Sequence, residues 1–165
     1  MYKKYLVAKR RSKWTSRVVE GCVFCRIVCG DPDVTEKTVW RNDDIMVLLN
    51  IHPYTMGHLQ IVPTRHIIYF NDLLKSKLII PVSQAIEKSM TLLSKTYSPD
   101  GFNVGLNLGR AAGNSIDHIH FHIVPRYSNR EIHGFMETCA ESKVVSEDID
   151  DVLIRLKEGM NGIFE

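Results

Sequence analysis

The chain has little net charge, few cysteines and no long apolar run. Its 21 Lys and Arg stand against 19 Asp and Glu, a formal net charge of +2 over 165 residues. No bulk positive field therefore draws it to nucleic acid. No apolar stretch approaches the roughly 20 residues of a membrane helix, so no membrane partner is expected. Four cysteines do not make a disulfide scaffold at this length, and a cytoplasmic setting is the expectation. No repeat, low-complexity tract or break in composition marks a second domain. What remains is 44% hydrophobic and 24% charged, the balance of one globular domain with its own core.

Charge is uneven along the chain. Lys3, Lys4, Lys9, Arg10, Arg11, Lys13 and Arg17 crowd the start, without the apolar centre of a secretory signal. Tyr2, Tyr5 and Trp14 suggest that part of this stretch packs down. Residues 1–20 read as a basic arm and 21–165 as a single domain.

Within that domain, Gly21–Cys25 reads as a tight turn carrying two thiols. Thr38–Arg41 and Ile45–Leu49 read as strands around an Asn42-Asp43-Asp44 turn. A loop over 51–57 leads to a strand over His58–Pro63. From about Ser76 to Tyr97, Val82, Ala85, Ile86, Met90, Leu93 and Tyr97 recur near the helical period, with Pro81 in the first turn or at a kink. Phe102–Leu108 reads as another strand. Ser146-Glu147-Asp148 opens a last helix, with Ile149, Val152, Leu153 and Leu156 on its apolar face. The order predicts an α+β fold, an antiparallel sheet with one long helix and a C-terminal helix.

The richest stretch is Asp117-His118-Ile119-His120-Phe121-His122-Ile123-Val124-Pro125. Period-two alternation sets all three imidazoles on one face of a strand and Ile119, Phe121 and Ile123 on the other. Three imidazoles about 7 Å apart need partners and repel one another when charged. Imidazole is also a nucleophile, an acid–base group and a metal ligand, so the pattern predicts a working site rather than polar alternation. Just before it, Gly109, Ala111, Ala112 and Gly113 let backbone approach a ligand closely. Exposed N–H groups in such a turn suit phosphate oxygens.

Cys22 and Cys25 form a C-x-x-C pair, half of a tetrahedral zinc site, a buried thiol pair or a redox couple. No thioredoxin-like βαβ context surrounds them. His58 either bonds within its strand or joins the site. His52 either precedes a proline turn or contributes as well.

The run from Asn107 through Ser115 to His118, His120 and His122 resembles the histidine-triad (HIT) superfamily of nucleotide hydrolases and transferases. The segments Leu49-Asn50-Ile51-His52-Pro53-Tyr54 to His66, Gly101–Asn107, Pro125-Arg126 and Phe135-Met136 agree with it. The branch of diadenosine-tetraphosphate hydrolases and phosphorylases is the most similar. Tyr127 and the stretch 128–134 depart from the phosphorylase pattern, and so does Asn114 before Ser115. The acceptor of the nucleotidyl group therefore stays open.

The resemblance implies that His120 attacks the α-phosphorus, forming a nucleotidyl-histidine that water or phosphate then resolves. It implies that His122 and His58 contact phosphate or hold His120, and that Asn107, Gly113, Asn114 and Ser115 surround the phosphates. Asn50 would reach the ribose, and Phe24, Ile27 and Leu48 would sandwich the base. It further implies that His66 and His118 complete a Cys₂His₂ structural zinc site with Cys22 and Cys25, and that the protein is a homodimer with no organic cofactor. A dinucleoside polyphosphate is the implied substrate. A Hint-like phosphoramidate hydrolase and a nucleotide-binding module without turnover are the alternatives.

Overall fold

The computed structural model describes residues 21–128 and 147–165. The basic arm, the Phe135-Met136 pair, most of the 128–134 stretch and Ser146 lie outside the described residues.

Five antiparallel strands form one sheet in the order β1-β2-β3-β5-β4. They are β1 (Thr38–Arg41), β2 (Ile45–Leu49), β3 (Leu59–Pro63), β4 (Gly101–Gly105) and β5 (Phe121–Arg126). The β1–β2 hairpin forms where the sequence places it. The Asn42 carboxamide oxygen accepts the N–H groups of Asp44 and Ile45 at 3.0 and 2.8 Å, so the side chain builds the turn.

Both faces of the sheet are covered, which explains why every residue of β2 is buried. On one face Val47, Leu49, Leu59, Ile61, Ile119, Phe121 and Ile123 meet Val82, Ala85, Leu92 and Leu93. These last four lie on α3 (Ile79–Tyr97), whose apolar stripe follows the helical period. On the other face Met46, Leu48 and Val62 pack against Phe24 and Ile27 of α1 (Val23–Val28). Each side chain so buried contributes roughly 1.5–3 kcal/mol.

The C-terminal helix α4 (Ile149–Gly159) begins at Asp148, whose carboxylate accepts the Asp150 N–H. It lies across α3 and β1, tied to the residue before β1 by the Lys37–Asp150 ion pair. Its end is so close to α3 that a Cβ on Gly159 would stand 2.8 Å from the Thr96 hydroxyl.

The α+β antiparallel reading holds, with local corrections. Where a tight turn over Gly21–Cys25 was expected, a helix begins at Val23 and runs to Val28, because Phe24 and Ile27 on one helical face can bury together against β2. The long helix starts at Ile79 rather than near Ser76, since Lys77 adopts φ +63° and breaks the chain there. A separate short helix, α2 (Phe70–Lys75), precedes that break. Pro81 sits in the first turn of α3, as expected. Strand β4 ends at Gly105 and β3 begins after His58. Only His122 of the three histidines lies within a strand; His118 and His120 sit in the segment leading into it.

Candidate active site and metal cluster

The register of the sheet assembles the site. Gln60 pairs with His122 across β3–β5, and Gly105 pairs with His122 across β4–β5. His122 therefore stands in the middle of the sheet, on the face away from α3. Burial is nearly complete: His58 is 0%, His118 1%, and His120 and His122 each 5% exposed.

Each ring has its tautomer set by a partner. His120 donates its Nδ1–H to the backbone carbonyl of His118 at 2.8 Å, which leaves Nε2 with its lone pair. Burial holds this imidazole below its ordinary range, against the opposing effect of that hydrogen bond, so it is neutral near pH 7. Phe24 packs against it with the ring planes tilted, centroids 5.1 Å apart. His122 receives His58 Nε2 on its Nδ1 at 3.0 Å. Burial first, and His120 second, push His122 down to about 4.

The third imidazole does a different task. His118 donates Nε2–H to the Pro63 carbonyl at 2.9 Å, turning the Nδ1 lone pair toward the thiols of Cys22 at 3.3 Å and Cys25 at 3.7 Å. His66 Nδ1 lies 3.2 Å from the Cys25 sulfur. All four ligand atoms fall within 4.8 Å of one another. A tetrahedral zinc with bonds of about 2.0–2.3 Å fits such a set after a small contraction. Burial and the adjacent Cys22 raise the Cys25 thiol to about 11; two thiols side by side resist ionising until a cation compensates them. The donor chemistry and the aimed lone pair fit zinc.

The turn before the triad differs from the expectation of exposed amides. Ala112 and Asn114 donate their N–H groups to Gly109, and Gly113 donates to Arg110. These amides close a 3₁₀ turn over Arg110–Ala112 and do not face a ligand. Gly113 instead contributes small size and a φ of +86°, with its absent Cβ 3.6 Å from the Asn107 amide nitrogen. Asn114 is bound to Asp117 and to the Ile116 N–H. Ser115 is exposed and lines a recess of about 450 Å³ beside Cys22, His66, Ile68 and Asp117.

Asn50 is buried, with its oxygen accepting the His52 N–H and its nitrogen beside both ring nitrogens of His58. Phe24, Ile27 and Leu48 lie together at 3–5% exposure, within one apolar cluster. Two contributors escaped the sequence reading. Pro63 acts through a carbonyl, which no residue type announces. Tyr54 stacks on His58 at 4.7 Å; its place four residues before a buried histidine was the available signal.

Residues 31–129 match the HIT domain family. An uncharacterized HIT-like protein of Methanocaldococcus jannaschii is 32% identical over 136 residues, 82% of this chain and 98% of that protein. An AP-4-A phosphorylase of Mycobacterium tuberculosis is 36% identical over 116 residues, covering 68% of this chain and 57% of that enzyme. Among solved structures, a HIT family protein of Bacillus subtilis superposes with a TM-score of 0.63 at 30% identity, over 73% of this chain and 84% of that one. A zinc-bound histidine-triad protein of Mycobacterium smegmatis shares the fold with a TM-score of 0.68 at 24% identity, over 87% of this chain and 96% of that one.

Proposed function

As the chain belongs to the HIT domain family, we propose that it cleaves a phosphoanhydride of a dinucleoside polyphosphate through a nucleotidyl group carried on His120. The observation that supports this most directly is the His120 ring, neutral by burial, with Nδ1–H committed to a carbonyl and Nε2 left with its lone pair. In the first step Nε2 bonds to the α-phosphorus, and the P–O bond to the remaining phosphate chain breaks with its electron pair. In the second step an acceptor oxygen displaces Nε2, losing its proton and releasing the nucleotide. Splitting the transfer leaves the acceptor a separate choice.

His122 Nε2–H serves as a donor to phosphate oxygens that gain charge, with His58 behind it. Ser115 and Asn107 hold the phosphates, beside the close turns at Gly113 and Asn114. Asn50 is assigned to the ribose, although its amide already serves the turn at His52 and His58. The base rests against Phe24, Ile27 and Leu48. Phe24 also meets the His120 ring, centroids 5.1 Å apart, so the base and the nucleophile share one wall.

Cys22, Cys25, His66 and His118 would hold zinc. When bound, it supplies a cross-link between α1, the end of β3 and the segment entering β5; four protein ligands leave no open position for water. We also assign a homodimer, and a reducing, cytoplasmic setting that keeps these thiols as ligands. Among the described residues no helix is long and apolar enough to cross a membrane.

Phosphate rather than water as acceptor is favoured by the likeness to an AP-4-A phosphorylase. Products of a dinucleoside tetraphosphate, assayed with and without inorganic phosphate, decide it. A nucleoside diphosphate formed only with phosphate means phosphorolysis; mono- and triphosphate formed without it mean hydrolysis. Turnover of a phosphoramidate alone would favour the Hint-like reading. His120→Ala should abolish turnover and keep the fold, and full activity in that variant would sink the assignment.

A further inference from the structure

The reading above gives His122 its task through the hydrogen on Nε2, the atom directed away from His58. We propose that Tyr54 is a positioning residue that sets this hydrogen in place, its backbone N–H fixing the tautomers of His58 and His122 and its ring holding the His58 imidazole in line.

The relay begins at the backbone. Tyr54 donates its N–H to His58 Nδ1 at 3.0 Å. Asn50 does not add to this choice, since its nitrogen lies 3.3 Å from His58 Nδ1 and 3.4 Å from Nε2. An atom that accepts an N–H carries no hydrogen of its own, so the neutral His58 ring bears its hydrogen on Nε2. That hydrogen points at His122 Nδ1, 3.0 Å away. His122 is thereby an acceptor on Nδ1 and bears its own hydrogen on Nε2. One amide, two rings distant, thus decides which face of His122 donates.

The side chain holds this geometry. The Tyr54 ring stacks on His58 at 4.7 Å with planes 29° apart, and reaches His122 at 6.1 Å and 30°. The stacked contact on His58 limits its rotation about χ2, which would otherwise swing Nε2 out of line with the Nδ1 of His122.

The test uses the full-length protein with ¹⁵N-labelled histidine, alongside Tyr54→Phe and Tyr54→Leu. Wild type should show both His58 and His122 protonated on Nε2. Tyr54→Leu keeps the amide and loses the ring, so it should keep the Nε2 tautomers and lower kcat about fivefold to tenfold, with KM changed by less than about twofold. Tyr54→Phe, keeping ring and amide, should behave as wild type. Nδ1 protonation of His58 in wild type overturns the proposal without needing any variant to fold. So does wild-type kcat in Tyr54→Leu, or a loss in Tyr54→Phe equal to that in Tyr54→Leu. If wild type turns over no nucleotide, the functional reading falls, while the tautomer measurement still decides the role of Tyr54.

Discussion

His58 and His122 lie 64 positions apart in the chain and share one hydrogen bond, Nε2 to Nδ1 at 3.0 Å. The bond makes His122 a one-sided donor. His122→Ala should lower kcat by about 10²-fold, the usual cost of removing one donor from a developing oxyanion. His58→Ala leaves the donor but not its orientation, and should cost less, about tenfold. Steady-state kinetics on one dinucleotide compares the two. Equal activity in both variants and wild type would remove the dyad from the mechanism.

The thiol–imidazole cluster predicts one zinc per chain by elemental analysis, with no effect of chelators on the chemistry beyond their effect on the fold. Cys25→Ser should lose the metal and lower Tm by at least about 5 °C. Because α1 carries both Cys25 and the Phe24 that packs against His120, the variant should also change nucleotide affinity. A metal-free wild type with unchanged Tm would make the cluster a plain thiol pair.

Gly57 adopts φ +79°, and a Cβ there would stand 2.9 Å from Leu93 Cδ2 on α3. Gly57→Ala meets both the backbone cost and the clash, so a loss of about 1–3 kcal/mol is expected in urea unfolding. His58 follows directly, so activity should fall along with stability. An unaltered unfolding midpoint would show that the loop yields cheaply.

Acid should destabilise the fold through His122. Its ordinary value is 6.5 and burial, then His120, lower it to about 4 in the folded chain. Between those limits the unfolded chain binds more protons, so stability rises with pH and is lost as pH falls from about 6.5 toward about 4. Urea midpoints across that window should fall for wild type and fall less for His122→Asn. Parallel slopes for the two would assign the acid loss to other groups.

Much of this was legible in the residues. The alternation of His118, His120 and His122 with Ile119, Phe121 and Ile123 announced a strand with a polar and an apolar face, and from Phe121 onward the chain is that strand, with His118 and His120 in the segment before it. The stripe of Val82, Ala85 and Leu93 announced α3 for the equivalent helical reason. The C-x-x-C pair announced half of a cluster, since spacing along the chain is a local property.

What the sequence could not contain was direction and contact between distant segments. Nothing local makes a helix begin at Val23 inside the expected Gly21–Cys25 turn; the apolar face of β2, reached only after folding, rewards burying Phe24 and Ile27 together. Nothing local says that His118 offers Nδ1 to Cys22, 96 positions away, because the choice belongs to a Pro63 carbonyl that holds Nε2. Residue types and their periods determined which groups are available and which side of an element they take. Tertiary structure alone decided which lone pairs remain open, because a tautomer depends on the partner of the ring's other nitrogen, and that partner comes from elsewhere in the chain.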